Sequence, residues 1–330
     1  MPDRDAAWPW VRARLLARRR QEGSATPPDV VVRTAVVTDS AAALPADFRA
    51  AFSSDGQLTV IPMPVMVGDE IYGEGEDDIS ETIALALASG TSVKTSRPSP
   101  GQFEQAYRSA QQHGFEAVVS VHISGELSGT ADAARLAAAR VGIPVEVVDS
   151  RTVGMALGMA VQASVRAAAD GGDATAVAAA AAEQAARTKV YFYVPSLEQL
   201  RRGGRIGAAA SLLGTMLAIK PILGVDGGRI VPLEKVRSAA RAVARLEEIV
   251  AADAGARPSS AVRLAVHHFG NPEEARNLAG RLAAALPQCP PAQTSSLPAV
   301  LAAHAGLGVL AVIVGEEPAG AGSVSGGIST

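Results

Sequence analysis

The sequence predicts an α/β protein with two α/β domains. The chain has 330 residues, which exceeds the usual size of a single domain. Hydrophobic residues make up 48% of the chain and charged residues 19%, so it can bury cores of the ordinary globular kind. From residue 33 onward, short runs rich in Val and Ile alternate with Ala-rich stretches of helical spacing, which is the pattern of strands joined by crossover helices.

These patterns divide the chain into four parts, and the first is a basic extension over residues 1–32. Its arginines surround only short apolar pieces, so it does not resemble a secretory signal. It is either a partly helical extension or a helix that binds a membrane surface or a partner protein. An N-terminal domain is predicted over residues 33–188 and a C-terminal domain over 189–316. The Gly- and Ser-rich residues 317–330 predict a disordered tail.

The N-terminal domain is predicted to contain short strands separated by helices. Strands are predicted at residues 33–38, 58–62, 117–123 and 145–148. A helix is predicted over 99–113, because Ser99 and Gln102 have the spacing of a capping box. The Ala-rich stretch 152–187, interrupted at 170–173, predicts two helices that bridge the domains.

The C-terminal domain is predicted to combine a hairpin with further strands and helices. Its strands are predicted at residues 189–194, 219–225, 229–233, 262–267 and 309–314, and its helices at 238–252 and 272–286. Between the second and third of these strands, Asp226, Gly227 and Gly228 favour a tight turn, because glycine adopts a positive φ at little cost.

Composition excludes several classes of function. Aromatic residues are only 4% of the chain and the formal net charge is −3, whereas nucleic-acid binding uses clustered cations and stacking rings. Cys289 is the single cysteine, which excludes an internal disulfide or a Cys-rich zinc site and fits a reducing compartment. No run of 18 apolar residues is present, so we expect at most transient membrane contact. The composition therefore predicts a cytoplasmic protein with no metal site and no nucleic-acid partner.

Three clusters of polar residues follow predicted strands or precede predicted helices, where open α/β sheets bind ligands. The first cluster is residues 94–100, in which the adjacent hydroxyls of Thr95 and Ser96 can donate hydrogen bonds to an anion. Pro98 stiffens the loop that presents them. The alternative is an ordinary loop beside a helix cap, and the spacing alone favours this alternative.

The second cluster, residues 122–130, contains Ser124, Ser128 and Gly129. Ser128 comes at the start of the following helix, where free backbone N–H groups and the helix dipole favour a negatively charged ligand. The alternative is a serine that only caps the helix, which is the commonest role at such a position. The serine spacing does not fit Gly-x-Ser-x-Gly, so the segment gives weak support to a serine hydrolase.

The third cluster, residues 201–207, places Arg202 and Arg205 in a glycine-rich turn, and Arg237 follows the predicted hairpin. Arginines in such loops pair with carboxylates or phosphates, and the alternative is a solvated basic turn. His304 adds a hydrogen-bonding group near the end of the chain. The Gly-x-Gly-x-x-Ala string that follows it lacks the strand–glycine–helix order of a dinucleotide site, so no nucleotide cofactor is indicated.

Together these clusters resemble the DegV family of bacterial fatty acid-binding proteins over residues 33–315. Segments that match the family in order and approximate spacing are Val37-Thr38-Asp39-Ser40, residues 95–100, residues 122–130, residues 200–206, Lys220-Pro221-Ile222-Leu223 and His304. The resemblance implies a two-domain α/β fold. In that fold the acyl chain of a fatty acid lies in an apolar tunnel between the domains, and its carboxylate meets polar residues at one end.

The same resemblance implies roles for individual residues. By position, Thr95 and Ser128 hydrogen-bond the carboxylate of a long-chain fatty acid, and His304 is its third partner. The loops that support this site contain Ser96, Ser124 and Gly129. This chain has Glu126 where a glycine is usual in the family, and its carboxylate would repel that of the ligand and weaken binding unless it points away.

The resemblance also implies a protein partner, because family members are similar to the lipid-presenting subunit of bacterial fatty acid kinase. The catalytic subunit of that kinase brings ATP and metal, and the product is an acyl phosphate. By position, Arg205 and Arg237, with Arg202 nearby, serve the interaction with the kinase and phosphoryl transfer. The chain has no Walker loop of its own. The implied protein is therefore a non-catalytic carrier with a bound fatty acid as ligand and no cofactor.

An alternative function belongs to a different class of protein. It is a stand-alone hydrolase of acyl or phosphate esters, with Ser128 as the nucleophile and His304 as the base. A hydrolase needs a histidine that is activated by a third group and an oxyanion hole, whereas a carrier needs hydrogen-bond donors and an apolar tunnel.

Overall fold

The computed structural model describes residues 32–73, 79–212, 219–258 and 261–317. Its strands are β1 (Thr34–Asp39), β2 (Leu58–Ile61), β3 (Pro64–Val67), β4 (Glu70–Gly73), β5 (Val93–Thr95), β6 (Ala117–His122), β7 (Val145–Asp149), β8 (Lys189–Tyr193), β9 (Lys220–Asp226), β10 (Arg229–Val236), β11 (Val262–His268), β12 (Gln293–Ser296) and β13 (Leu310–Glu316). Its helices are α1 (Ala46–Ser53), α2 (Ser80–Ser89), α3 (Pro100–Gln112), α4 (Thr130–Ala138), α5 (Met155–Ala169), α6 (Ala174–Arg187), α7 (Glu198–Arg202), α8 (Ala239–Gly255), α9 (Pro272–Ala285) and α10 (Ala299–Ala305). The predicted extension and tail lie outside the described residues, apart from Val32 and Glu317.

The first sheet is parallel throughout, with the strand order β2-β1-β6-β7. Helices α3 and α4 cover one face of it, and α5 and α6 cover the other. Successive side chains of β1 point to opposite faces, so Ala35 and Val37 pack under α3 and α4 while Val36 packs toward α5. This arrangement confirms the α/β fold class that the alternating pattern predicts.

The second sheet has the order β10-β9-β8-β13-β11-β12 and is antiparallel except for the pair β11–β12. Helices α8 and α9 cover its outer face, and α5 and α6 pack against β13 on its inner face. The two helices predicted within 152–187 are therefore confirmed, and they form a layer between the two sheets. Because one apolar core runs from the first sheet past α5 to the second, the domain boundary at residue 188 stays a prediction.

A small antiparallel sheet, β4-β3-β5, stands beside these two layers. Helix α10 packs against β3 and β5, which brings the last helix of the described chain next to Thr95 at the end of β5. The contact joins segments that are more than 200 residues apart in sequence. It is the part of the fold that assembles the polar site described below.

Two local predictions are confirmed in atomic detail. Helix α3 starts with a capping box, in which Ser99 accepts a hydrogen bond from the Gln102 backbone and the Gln102 side chain accepts one from the Ser99 N–H. Strands β9 and β10 form the expected hairpin, with positive φ at Gly227 and Gly228. Among the helices of the described residues, none has the length and apolarity to cross a bilayer.

Candidate functional site

An apolar cavity lies between the carboxyl ends of the first-sheet strands and the inner face of the second sheet. Its empty space is about 820 Å³, counted with the part that is open to solvent. The second sheet contributes side chains such as Phe192, Ile230 and Ile313. The loop after β6 contributes Ile123 and Leu127, and α10 closes a further side. The mostly aliphatic wall suits a hydrocarbon chain.

Four of the predicted site residues meet on the wall of this cavity: Thr95, Ser128, Arg205 and His304. We call them the polar cluster. They come from the end of β5, the loop before α4, the turn after α7 and helix α10. The fold thus brings together hydroxyl, guanidinium and imidazole groups that are far apart in sequence.

Thr95 and His304 contact each other directly, with 2.8 Å between Thr95 Oγ1 and His304 Nε2. Burial, and then the positive charge of Arg205, lower the pKa of His304 to about 4. The imidazole is therefore neutral at pH 7 and is available as a hydrogen-bonding group. Its Nδ1 edge packs so closely on Gly203 that a Cβ there would lie 2.1 Å from Nδ1, so this position accepts only glycine.

Ser128 faces the cavity just before α4. The alternative that Ser128 is a simple N-cap is wrong, since Gly129 holds the N-cap position and no side chain caps this helix. The Ser128 hydroxyl lies 2.8 Å from Thr130 Oγ1. When Thr130 Oγ1 donates in this bond, the Ser128 O–H is free to donate to a negatively charged group, as are N–H groups of the first helical turn.

Arg205 is the arginine of the polar cluster, and its side chain connects two loops. Its Nε donates to the carbonyl of Leu127 at 3.0 Å, and its Nη1 donates to the carbonyl of Gly203 at 2.6 Å. The guanidinium thus joins the loop before α4 to the turn after α7, and it places a positive charge beside His304. Arg205 therefore both shapes the polar cluster and sets its charge.

The other predicted arginines lie on the surface instead. Arg202 is exposed and pairs with Glu198, with 2.7 Å between Arg202 Nε and the carboxylate. Arg237 is exposed directly before helix α8 and does not line the cavity. Neither residue is placed to contact a ligand inside the cavity, so any role that they have requires a partner outside it.

The three predicted loop residues occupy different environments. Ser96 is exposed, and its backbone N–H donates to Pro64. Ser124 is buried, and its hydroxyl donates to the carbonyl of Gly228 at 2.8 Å. Gly129 is the N-cap of α4, and a Cβ there would lie 2.6 Å from the end of the exposed Arg97 side chain, which can move aside. None of the three lines the cavity.

The tip of the β9–β10 hairpin docks on the loops of the first sheet. Arg229 pairs with Glu126 at 2.9 Å, and Arg151 donates to the carbonyl of Gly227 at 2.8 Å. The hydrogen bond from Arg229 lowers the pKa of Glu126. This carboxylate does not line the cavity and is paired with Arg229 instead. The hairpin that carries Ile230 into the cavity wall is therefore held at its tip.

We predict that Gly228→Ala lowers the free energy of unfolding by about 2–3 kcal/mol. Gly228 has a φ of 87°, and an added Cβ would lie 2.5 Å from Ser124 Oγ, so both the backbone conformation and the Ser124 hydrogen bond are lost. Gly227→Ala is the matched control, because its φ is also positive but its Cβ meets only Arg151 Nη2, at 3.6 Å. Urea unfolding measures both variants. Equal destabilisation would show that the contact with Ser124 adds nothing.

One polar side chain of the cavity wall, that of His267, was not predicted from the sequence. His267 lies in β11, fully buried, and its Nε2 accepts the backbone N–H of Met155 at 3.1 Å while its Nδ1 contacts Ser295 Oγ at 3.0 Å. Burial lowers the pKa of His267 to about 4, so it is a neutral wall residue. Its position inside an apolar strand signals only core packing, which is why the pattern did not single it out.

The hydrolase alternative is not supported by the hydrogen bonds of the site. Ser128 bonds to Thr130, whereas His304 bonds to Thr95, so the serine–histidine pair that would activate a nucleophile is not formed between these described residues. The described residues also contain no group of three His, Cys, Asp or Glu side chains that could hold a metal ion.

Comparison with protein families identifies relatives along nearly the whole described chain. The family model described as "Uncharacterised protein, DegV family" matches residues 33–317. A DegV domain-containing protein of Streptomyces coelicolor is 46% identical over 283 residues, which cover 86% of this chain and 98% of the relative. A DegV domain-containing protein of Mycobacterium tuberculosis is 39% identical over 280 residues, which cover 84% and 96%.

Solved structures give the same result. The chain resembles a DegV family protein from Thermus thermophilus, described by its fatty acid binding, with a TM-score of 0.78 and 32% identity over 86% of this chain and 99% of that one. It also resembles DegV from Bacillus subtilis, described as a fatty acid binding protein, with a TM-score of 0.76 and 29% identity over 86% and 99%. The family model, the sequence relatives and the fold agree, and the chain belongs to the DegV family.

Proposed function

We propose that this protein binds a long-chain fatty acid, with the acyl chain in the apolar cavity and the carboxylate at the polar cluster. The observation that carries the proposal is the position of Thr95, Ser128 and His304 together on the wall of an otherwise aliphatic cavity. The solved relatives from Thermus thermophilus and Bacillus subtilis, both described as binding fatty acid, support it.

The aliphatic wall accounts for the affinity. Each buried methylene contributes about 0.8 kcal/mol, so the roughly 14 methylenes of palmitate gain about 11 kcal/mol before the cost of association is subtracted. The head group then needs only a few oriented donors to avoid a desolvation penalty. In this proposal the tail provides the binding energy, and the polar cluster selects a carboxylate and fixes its position.

The polar cluster accepts a carboxylate without burying an unpaired charge. Thr95 and Ser128 offer hydroxyl donors, His304 offers a neutral imidazole, and Arg205 supplies the nearby positive charge. Since the Arg205 guanidinium is already bound to two backbone carbonyls, it does not grip the ligand as a two-pronged clamp. A carboxylate oxygen held mainly by neutral donors keeps its nucleophilic character.

We further propose that the protein is a non-catalytic carrier that presents this carboxylate to a fatty acid kinase catalytic subunit. The partner would supply ATP and metal, the carboxylate oxygen would attack the terminal phosphorus, and ADP would leave as acyl phosphate forms. The exposed Arg202 and Arg237 are then available to contact the partner. Arg205 lies at the polar cluster and would serve the phosphoryl transfer to the bound carboxylate. Because the partner uses ATP, the proposal locates the protein in the cytoplasm.

Native mass spectrometry of the freshly purified protein, followed by denaturing extraction, tests fatty acid binding. We expect a bound species with the mass of a fatty acid, released on denaturation. A protein that is empty and also refuses added palmitate would overturn the proposal. Hydrolysis of ester substrates by the isolated protein, abolished by Ser128→Ala, would instead support the hydrolase alternative.

A separate experiment tests presentation to a kinase. Phosphorylation of protein-bound palmitate by a bacterial fatty acid kinase subunit is measured for the wild type and for Arg237→Ala. We expect Arg237→Ala to bind palmitate as the wild type does and to support phosphorylation at least about tenfold more slowly, as loss of a charge-assisted contact predicts. An exposed arginine of the outer helix layer, Arg276, provides the matched control as Arg276→Ala. Equal rates for the two variants would count against a role of Arg237.

A further inference from the structure

The segment Val37-Thr38-Asp39-Ser40 matches the family pattern but lies outside the polar cluster. Asp39 is the last residue of β1, and its side chain is completely buried. An ionisable group buried in this way costs free energy unless hydrogen bonds compensate it, and an apolar residue would pair the strands equally well. The hydrogen-bond partners of the Asp39 carboxylate therefore indicate its role.

Both oxygens of the Asp39 carboxylate accept backbone hydrogen bonds, and one of the two donors belongs to a cavity residue. Oδ2 accepts the N–H of Ile123 at 3.0 Å, and Oδ1 accepts the N–H of Ala41 at 3.1 Å. Ile123 is the first residue after β6 and lines the cavity. The neighbouring Ser40 acts in parallel, because its hydroxyl accepts the N–H of Met63, another cavity residue, at 3.0 Å.

A buried chain of side chains holds Asp39 in turn. His122 Nδ1 lies 3.0 Å from Asp39 Oδ2, and His122 Nε2 lies 2.7 Å from Ser120 Oγ, which lies 2.8 Å from the hydroxyl of Tyr107. Burial raises the pKa of Tyr107, so its hydroxyl stays protonated. The hydrogen bonds of the chain are all satisfied if Tyr107 donates to Ser120, Ser120 donates to His122 Nε2, and His122 Nδ1 donates to Asp39. The Phe103 ring also packs edge-on against His122, with 5.1 Å between ring centroids.

A short hydrogen-bonded turn connects Ile123 to Ser128. The carbonyl of Ser124, the residue after Ile123, accepts the N–H groups of both Leu127 and Ser128 at 3.0 Å. The position of Ser128 therefore depends on the position of the backbone at the end of β6. Asp39 fixes the backbone there through its hydrogen bond to Ile123.

We propose that Asp39 is a positioning residue for carboxylate recognition: it fixes the exit of β6 and thereby places Ser128 for the head group of the ligand. This inference rests on the proposed fatty acid binding. Asp39 itself contacts no ligand, and its effect is expected in the preference for a carboxylate, while the contacts with the tail remain.

The test compares palmitic acid with 1-hexadecanol, which has the same tail length and no carboxylate, on delipidated full-length protein. In Asp39→Asn one of the bound N–H groups faces an amide N–H instead of an oxygen. We expect the preference for palmitic acid over 1-hexadecanol, measured as the ratio of the two dissociation constants, to fall by at least about fivefold. The reason is that the displaced Ser128 makes a weaker hydrogen bond to the charged carboxylate. Thr34→Val is the matched control, because Thr34 is another buried polar residue, at the far end of the same strand, and the change removes its hydrogen bond to Gly172.

The outcomes separate the two levels of the proposal. A wild type that binds neither ligand defeats the proposed function itself. A wild type that prefers the acid, with the same ratio in Asp39→Asn and Thr34→Val, overturns the positioning role alone. His122→Gln covers the case in which Asp39→Asn does not fold, because the amide can keep the contact with Ser120 while the donor to Asp39 is lost. We expect at least about a threefold shift there, and an unchanged ratio would overturn the inference.

Discussion

Replacing Thr95 by valine and Ser128 by alanine in one chain is expected to weaken palmitate binding by about a hundredfold. Each hydroxyl is proposed to donate one hydrogen bond to the carboxylate, and a bond to a charged group contributes about 1.5 kcal/mol or more, or roughly tenfold in affinity. Thr95→Val also removes the partner of His304 Nε2, which adds to the loss. Displacement of a fluorescent fatty acid from delipidated protein measures the dissociation constants.

Ser96→Ala is the matched control for this double variant. Ser96 is the residue after Thr95, but its side chain is exposed and does not line the cavity. We expect its palmitate affinity to equal that of the wild type. Unchanged affinity in the Thr95→Val/Ser128→Ala protein would place the carboxylate elsewhere, and equal losses in this protein and in Ser96→Ala would indicate a general effect of the loops.

The features predicted well from sequence are those that depend on near neighbours. The spacing of Ser99 and Gln102 contains the whole capping box, and Gly227 and Gly228 contain the turn of the hairpin. The parallel first sheet also follows from local pattern, since each of its strands is a short apolar run between helical stretches. By contrast, β3, β4 and β5 have only three or four residues each, too few for a periodic signal.

The candidate site was predictable in its members but not in its geometry. Resemblance to the DegV family pointed to Thr95, Ser128 and His304, and the structure brings them to one cavity, although their contact with a ligand stays a prediction. The separation of Arg205 from Arg237 was not predictable, because sequence position does not show which arginine faces inward. Asp39 was visible only as part of a motif, since its partner His122 ends another strand and its partner Ile123 follows that strand.

The pH dependence of stability gives a second large expected effect, and it centres on His267. Burial lowers the pKa of His267 from its usual 6.5 to about 4. Below pH 6.5 the unfolded chain therefore takes up the proton before the folded protein does. The stability that the neutral ring contributes is fully present above pH 6.5 and is lost as the pH falls from 6.5 toward 4. A shift of this size corresponds to about 3 kcal/mol.

His267→Gln is expected to remove this part of the acid sensitivity. Its amide oxygen can accept the Met155 N–H in place of the imidazole, but it cannot be protonated in this range. We expect a variant that is about 1 kcal/mol less stable than the wild type at pH 7, because packing and the Ser295 contact are disturbed. By pH 4.5 the order should reverse, because the wild type has by then lost more stability.

Urea unfolding followed by circular dichroism at pH 7, 6, 5 and 4.5 measures both curves. His113→Gln is the control for loss of an exposed histidine, since His113 lies at the surface end of α3. His304 is unchanged in these proteins and its pKa is also lowered to about 4, so some acid sensitivity remains in every variant. Curves for the wild type and His267→Gln that stay parallel down to pH 4.5 would mean that the ring is protonated without cost. His267 would then be in contact with water, and the cavity wall at β11 would be wet.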